Sequence, residues 1–281
     1  MNERTGFEWM ARGGYAARGL VFVVIGVLSG LAAFGARAQP AGTQGALRTL
    51  FDTPFGSVLL WAIAIGLAGF ALWRLMQGIL DADHLGRDRK AVLRRAAYVG
   101  GGLFHLGLAA WAVSLVFLGF GGGDEDRAAR DWTAWLLAHH WGSWIVLAIG
   151  AAFCIGGIAI VFQGMTRRFQ DRLSLGREPR KIVVLLGRIG FTARGVLFVM
   201  IGVFLIMAAA QSNARQVHGV GGALQELQRQ PYGWIALSAA ALALLAYGIF
   251  ESAQAMFRRV HPPSTEEAKR EIKDAVSEAG A

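Results

Sequence analysis

Residues 12–26 read RGGYAARGLVFVVIG, and residues 188–202 read RIGFTARGVLFVMIG. The two stretches align without a gap. They share the leading Arg, a Gly two positions on, an Ala-Arg-Gly step, Phe-Val and Ile-Gly. A third version, RAAYVGGGLFHLGLA, occupies residues 95–109. It keeps Arg95, the aromatic Tyr98 and Gly102. It has Gly101 where the others have Arg18 and Arg194, and His105 where they have Phe22 and Phe198. Each copy opens a long apolar run, so the chain is read first as a repeat and only then as helices.

The repeat extends beyond these openings. Gly45-Ala46-Leu47 corresponds to Gly222-Ala223-Leu224. Each copy then has an aromatic-Gly step: Phe55-Gly56, Trp141-Gly142 and Tyr232-Gly233. Pro54 and Pro231 precede two of them, and His140 the third. A second apolar run follows, with an amide near its end at Gln77, Gln163 and Gln254. The unit is therefore a pair of apolar segments, repeated over 12–87, 88–177 and 178–259, with a short leader 1–11 and a polar tail 260–281.

A bilayer core needs about 20 apolar residues per helix. Six runs meet that length, at 15–34, 57–80, 96–120, 143–162, 189–210 and 234–257. Each is apolar all round rather than striped, so none reads as a surface helix. Composition agrees. The 281 residues are 54% hydrophobic and only 17% charged, with a mean hydropathy of +0.43. An ordinary cytosolic enzyme has more charge and less apolar content. A single cysteine, Cys154, excludes a disulfide framework and any multi-cysteine metal site.

The net charge of +9 is a matter of placement. Most of the 28 Lys and Arg lie at the termini and in the segments after the second and fourth runs. The three alternate loops hold only Arg37, Arg48, Arg127, Arg130, Arg215 and Arg229. The positive-inside rule then puts both termini in the cytoplasm, and the basic side attracts anionic lipid head groups. The spread over four short segments leaves no basic face for nucleic acid. The Ala36-Arg37-Ala38 step after the first run has the form of a signal-peptidase site, but that run is one copy of the repeat and is kept as a span.

With its Y-A-A-R-G and F-T-A-R-G openings, G-A-L loops and P-aromatic-G steps, the chain resembles the bacterial membrane family called domain of unknown function 1206, over roughly 12–259. The resemblance implies a polytopic inner-membrane protein of three two-helix repeats. It implies no established activity and no catalytic residue. Two spans return the chain to its starting side, so the three copies insert in parallel, and parallel repeats are related by an axis along the membrane normal. The expected fold is all-α: six transmembrane helices in a pseudo-threefold ring of hairpins. Short interfacial helices are expected in the outer loops, where Leu47, Leu50 and Phe51, or Trp132, Trp135 and Leu136, fall on one side. Gly26 and Gly30, four apart, suit close helix packing, within the chain or between two copies.

Ionisable groups at membrane depth cost about 2.5–3.5 kcal/mol each on insertion scales and invite a functional reading. Repeat register aligns Arg74 with Ile160 and Glu251. One expectation is that Arg74 and Glu251 meet across the axis beside Gln77, Gln163 and Gln254. The other is that Arg74 snorkels to the head groups, with Glu251 protonated or paired along its own helix. Arg18 and Arg194, one turn inside their spans, either snorkel or contact lipid phosphates. His105 is expected as a core polar residue. Asp81, Asp83 and His84, or Asp131, His139 and His140, lack the ligand spacing of a metal motif. No phosphate-binding loop, H-E-x-x-H or G-x-S-x-G occurs, so neither an enzyme nor a cofactor is expected. Two functions stay open: binding or moving a small solute, ion or lipid in a crevice between the hairpins, or a non-transporting scaffold or accessory subunit whose protein partners are unknown.

Overall fold

The computed structural model describes residues 3–35, 39–81, 85–86, 88–119, 125–166 and 177–257. The tail 260–281, Asp83, His84, the step at 36–38 and most of the basic segment after the fourth apolar run lie outside them. The described residues form nine α-helices and no strand: α1 (Glu3–Ala33), α2 (Thr43–Phe51), α3 (Gly56–Ile79), α4 (Arg89–Leu118), α5 (Glu125–Leu137), α6 (Gly142–Thr166), α7 (Arg177–Ala210), α8 (Val220–Arg229) and α9 (Gly233–Phe257). Six of them, α1, α3, α4, α6, α7 and α9, are long and apolar enough to cross a membrane. The chain is a multi-pass membrane protein.

The odd-numbered spans run longer than their apolar stretches. α4 begins at Arg89, where the Asp88 carboxylate accepts the Ala91 N–H at 3.3 Å. α7 begins at Arg177. Bilayer thickness sets the apolar length, whereas helix ends follow capping and local propensity. The aromatic-Gly steps mark the starts of α3, α6 and α9. Phe55 and Tyr232 take left-handed backbone angles, with φ of 64° and 59°. A Cβ on Gly56, Gly142 or Gly233 would run into the carbonyl of Phe51, Leu136 or Gln228 at the end of the preceding short helix. That close approach explains why glycine recurs there.

The tightest packing joins spans of different repeats: α3 with α4, α6 with α7, and α9 with α1. The same register positions make all three seams. A Cβ on Gly19 would lie 2.8 Å from the Gly248 carbonyl, one on Gly195 2.6 Å from the Gly157 carbonyl, and one on Gly102 3.1 Å from the Ala71 carbonyl. Small residues let these backbones meet, the usual device for helix association in lipid. Gly26 also packs within the chain, against Ala241 and Leu245 of α9.

Inside a repeat the hairpins differ. α1 meets α3 through Gly14 on Phe70, and α7 meets α9 through Gly190 on Tyr247. α4 and α6 of the middle repeat share at most a marginal contact. Gly156, in register with Phe70 and Tyr247, has nothing within 4 Å of where its Cβ would be. The spans therefore neighbour one another in the order α4, α3, α1, α9, α7, α6.

The short helices α2, α5 and α8 touch one another and cap one end of the bundle. Leu47 of α2 and Leu224 of α8 are fully buried. Gln228 donates to the Ala32 carbonyl at 3.1 Å, Gln225 to the Pro40 carbonyl at 3.3 Å, and Arg130 to the Val217 carbonyl at 3.2 Å. α5 behaves differently from the other two: Trp132 and Trp135 are exposed, so its indoles face away from the bundle.

Candidate functional site

The polar residues of the spans converge at the seam between α1 and α9, toward the end opposite the cap. Arg18 on α1 and Glu251 on α9 form an ion pair at 3.3 Å, with exposures of only 4% and 2%. The close approach at Gly19 and Gly248 brings these two helices near enough for the short carboxylate arm to reach the guanidinium. Tyr247, one turn from Glu251, is fully buried. Its hydroxyl accepts from Arg18 Nη2 at 3.2 Å and from Arg194 Nη1 of α7 at 2.6 Å. Gln254 donates to Glu251 Oε1 at 3.4 Å.

Aromatic rings enclose the cluster. The Arg18 guanidinium lies 4.5 Å from the Phe70 ring centre, and Arg194 lies 5.1 Å from Phe198 and 5.5 Å from Tyr247. Phe22 packs edge-on against Tyr247 at 4.8 Å, and Tyr15 against Phe70 at 5.3 Å. Such cation–π contacts are worth about 2 kcal/mol or more where water is excluded. The interior arrangement is thus two guanidinium groups, one phenol and one carboxylate. The Nε of Arg18 and the Nε of Arg194 are both buried without a hydrogen-bond acceptor, and Glu251 Oε2 is held only by the ion pair with Arg18. Buried donors of a charged group are costly to leave unmatched.

The sequence reading assigned some partners differently. Glu251 pairs with Arg18, not with Arg74. Arg74 is half-buried, donates to Gln77 Oε1 at 3.2 Å, and lies 5.0 Å from the Phe70 ring and 4.9 Å from that of Tyr98. Equivalent positions in successive repeats point into different seams, so shared register did not make Arg74 and Glu251 neighbours. The amide layer also splits: Gln77 and Gln254 are buried, whereas Gln163 is exposed. Arg18 is turned inward and does not snorkel to a lipid surface. Arg194 is half-buried and joins it at Tyr247.

His105 sits where the others have phenylalanine. Its Nδ1 lies 2.6 Å from the Gly101 carbonyl, so that nitrogen carries the proton, and its ring packs 4.8 Å from Phe70. That contact matches Phe22 on Tyr247 at the same register. Tyr247 is the residue the sequence reading passed over. The available signal was a hydroxyl at a position where the first repeat has Phe70. Asp81 accepts the N–H groups of Leu85 and Gly86 at 2.8 Å and lies 3.9 Å from Arg95, which makes it a turn-forming residue. Among the described residues, no group of three or more His, Cys, Asp or Glu could hold a metal ion.

A family profile described as Domain of Unknown Function (DUF1206) matches residues 13–81, 96–167 and 189–258, one match per repeat. The chain is similar to the uncharacterized protein YxxB of Bacillus subtilis (strain 168), 32% identical over 250 residues, covering 88% of this chain and 90% of the relative. No solved structure matches. Three matches spanning nearly the whole length, each covering one pair of spans, show that the chain belongs to the family described as Domain of Unknown Function (DUF1206).

Proposed function

We propose that this protein is a non-enzymatic membrane protein that binds a small anion within the bundle, at the group formed by Arg18, Arg194 and Tyr247. The observation that carries the reading is the surplus of positive charge around the buried Tyr247 hydroxyl, supplied by the buried Arg18 and the half-buried Arg194. Two guanidinium groups converge on one phenol with a single carboxylate between them, and each keeps an unmatched Nε–H. An anion accepting those donors would balance the charge and satisfy the orphan groups at once.

The access route is the open hairpin of the middle repeat. Gly101 and Gly156 replace the Arg and the aromatic found in the other copies, and α4 stands apart from α6. The three equivalent glycine seams support a pseudo-threefold ring with one hairpin opened. α2, α5 and α8 serve as interfacial helices sealing its far end. The charge bias supports a bacterial cytoplasmic membrane with both termini inside. In the enclosed state described, the site binds; translocation requires the aromatic rings to part.

Thermal unfolding of the purified protein in detergent, with and without phosphate or sulfate, tests the reading. Binding at one hundred times Kd stabilises by about 2.7 kcal/mol. The expected result is a rise in Tm for the wild type that is lost in Arg194→Gln. Equal shifts in both, or none in either at saturating anion, would overturn it. The scaffold reading has its own support in the middle repeat, since α4 and α6 carry large apolar side chains such as Phe104, Phe117, Ile155 and Phe162 that are exposed among the described residues.

A further inference from the structure

A well-defined cavity lies away from the polar cluster. It is a groove of about 600 Å³ between α7 and α9, running from Gly164, Met165 and Arg188 at the basic end to Leu227 of α8 at the cap. Its walls are apolar apart from Arg188 and Thr192, and its floor is Leu197 and Leu244. Its volume falls among those of ligand pockets, about 300–1,000 Å³. Along α7 it extends from Arg188 to Met200, roughly 18 Å at 1.5 Å per residue.

The first repeat acts as an internal control, because its corresponding hairpin is closed. Gly66 of α3 meets the Gly13 carbonyl and the Ala17 Cβ of α1, at 2.8 Å from where its own Cβ would be. The third repeat has Ala243 and Ile189 at those two positions. Both are larger, and both line the groove. Above them the sizes reverse. Leu59 and the fully packed Ile63 of the first repeat correspond to Ala236 and Ala240, which are half-buried and form the groove wall. The groove is thus a specific change in one copy: the hairpin is wedged apart at one level and stripped of side chains at the next.

We propose that this groove holds one acyl chain of an anionic phospholipid, with its phosphate at Arg188. The argument is complementarity along the whole length. An apolar slot running along a membrane-spanning helix ends in a single guanidinium at the face where basic residues gather, and an anionic lipid has that sequence of chemistry from tail to head. The site is separate from the anion group at Arg18 and Arg194, and neither proposal needs the other.

Native mass spectrometry of the full-length protein in mild detergent, titrated with phosphatidylglycerol or phosphatidylethanolamine, provides the test. The wild type should take up one phospholipid before any others and prefer phosphatidylglycerol. The variant Ala236→Leu/Ala240→Ile restores the side chains of the first repeat and should raise the lipid concentration for half-occupancy at least tenfold. Arg188→Gln should keep the adduct and lose the preference for phosphatidylglycerol. If the double variant fails to fold, Ala240→Ile alone carries the same expectation at reduced size. Unchanged lipid uptake in a folded filled variant overturns the proposal. So does a wild type that dimerises and a filled variant that does not while binding lipid as before, which would make a second copy the occupant.

Discussion

The first and third repeats meet the middle one at the same register, and the chemistry differs at the positions that face into the hairpin. Where the outer copies present Arg18 and Arg194, the middle one has Gly101. Where they present Phe70 and Tyr247, it has Gly156. The outer copies each join their two spans, at Gly14 on Phe70 and at Gly190 on Tyr247, and together gather a buried ion pair, a shared phenol and stacked rings. The middle copy leaves α4 apart from α6. All three retain the glycine seams to their neighbours, at Gly19, Gly102 and Gly195. The comparison teaches that the seams between repeats carry the fold, while the hairpin interiors are free to diverge. The polar group arises where the third copy closes onto the first.

That comparison can be broken most forcefully at the ion pair. Glu251→Leu leaves Arg18 and Arg194 without a counter-charge, and loss of one partner of a buried pair costs about 3–5 kcal/mol. Removing both, with Arg18→Met added, should recover most of that loss. Unfolding in detergent would measure both, and a double variant as damaged as the single would refute the pairing. At the seams, Gly19→Leu, Gly102→Leu and Gly195→Leu should each destabilise by about 1–3 kcal/mol through overpacking. Comparable losses at all three are expected if the seams are equivalent. Gly156→Ala, with open space around it, should instead stabilise by roughly 0.5–1 kcal/mol through helix propensity.

Arg74→Leu separates the two possible partners of Glu251. It removes the stacking on Phe70 and Tyr98 and the bond to Gln77, at a cost of about 1–2 kcal/mol. A loss as large as that of Glu251→Leu would restore Arg74 as the counter-ion. The smallest effect belongs to the cap. His218 packs 4.9 Å from Phe204 and is faced by Asp126, Arg130, Glu226 and Arg229. Burial lowers its pKa below the ordinary 6.5, Asp126 opposing and Arg130 assisting. The unfolded chain therefore takes up the proton more readily, and the contribution is present above pH 6.5 and fades as pH falls below it. A pH series of Tm should show a slope there that His218→Gln flattens.

Much of the architecture was legible. Six apolar runs, the copied Ala-Arg-Gly opening and the aromatic-Gly steps each report local constraints: bilayer thickness, backbone approach and the left-handed angles of Phe55 and Tyr232. The pairing of Glu251 was not. Register correctly aligned Arg74 with Glu251, yet alignment between repeats states equivalence and not proximity. Tyr247 was hidden for the same reason, since its two guanidinium partners come from α1 and α7, far apart in the chain.

By itself the sequence determined the unit, its threefold copying and the polar stock of each span, because those follow from periodicity, length and composition. Only the tertiary structure decided that α9 closes on α1, that Arg18 rather than Arg74 meets Glu251, and that the middle hairpin opens. The physical reason is that helices in lipid have no hydrophobic drive toward one another, so their neighbours are chosen by backbone approach at a few small residues and by the matching of buried charge. Those are properties of paired surfaces, and they exist only when both surfaces are in place.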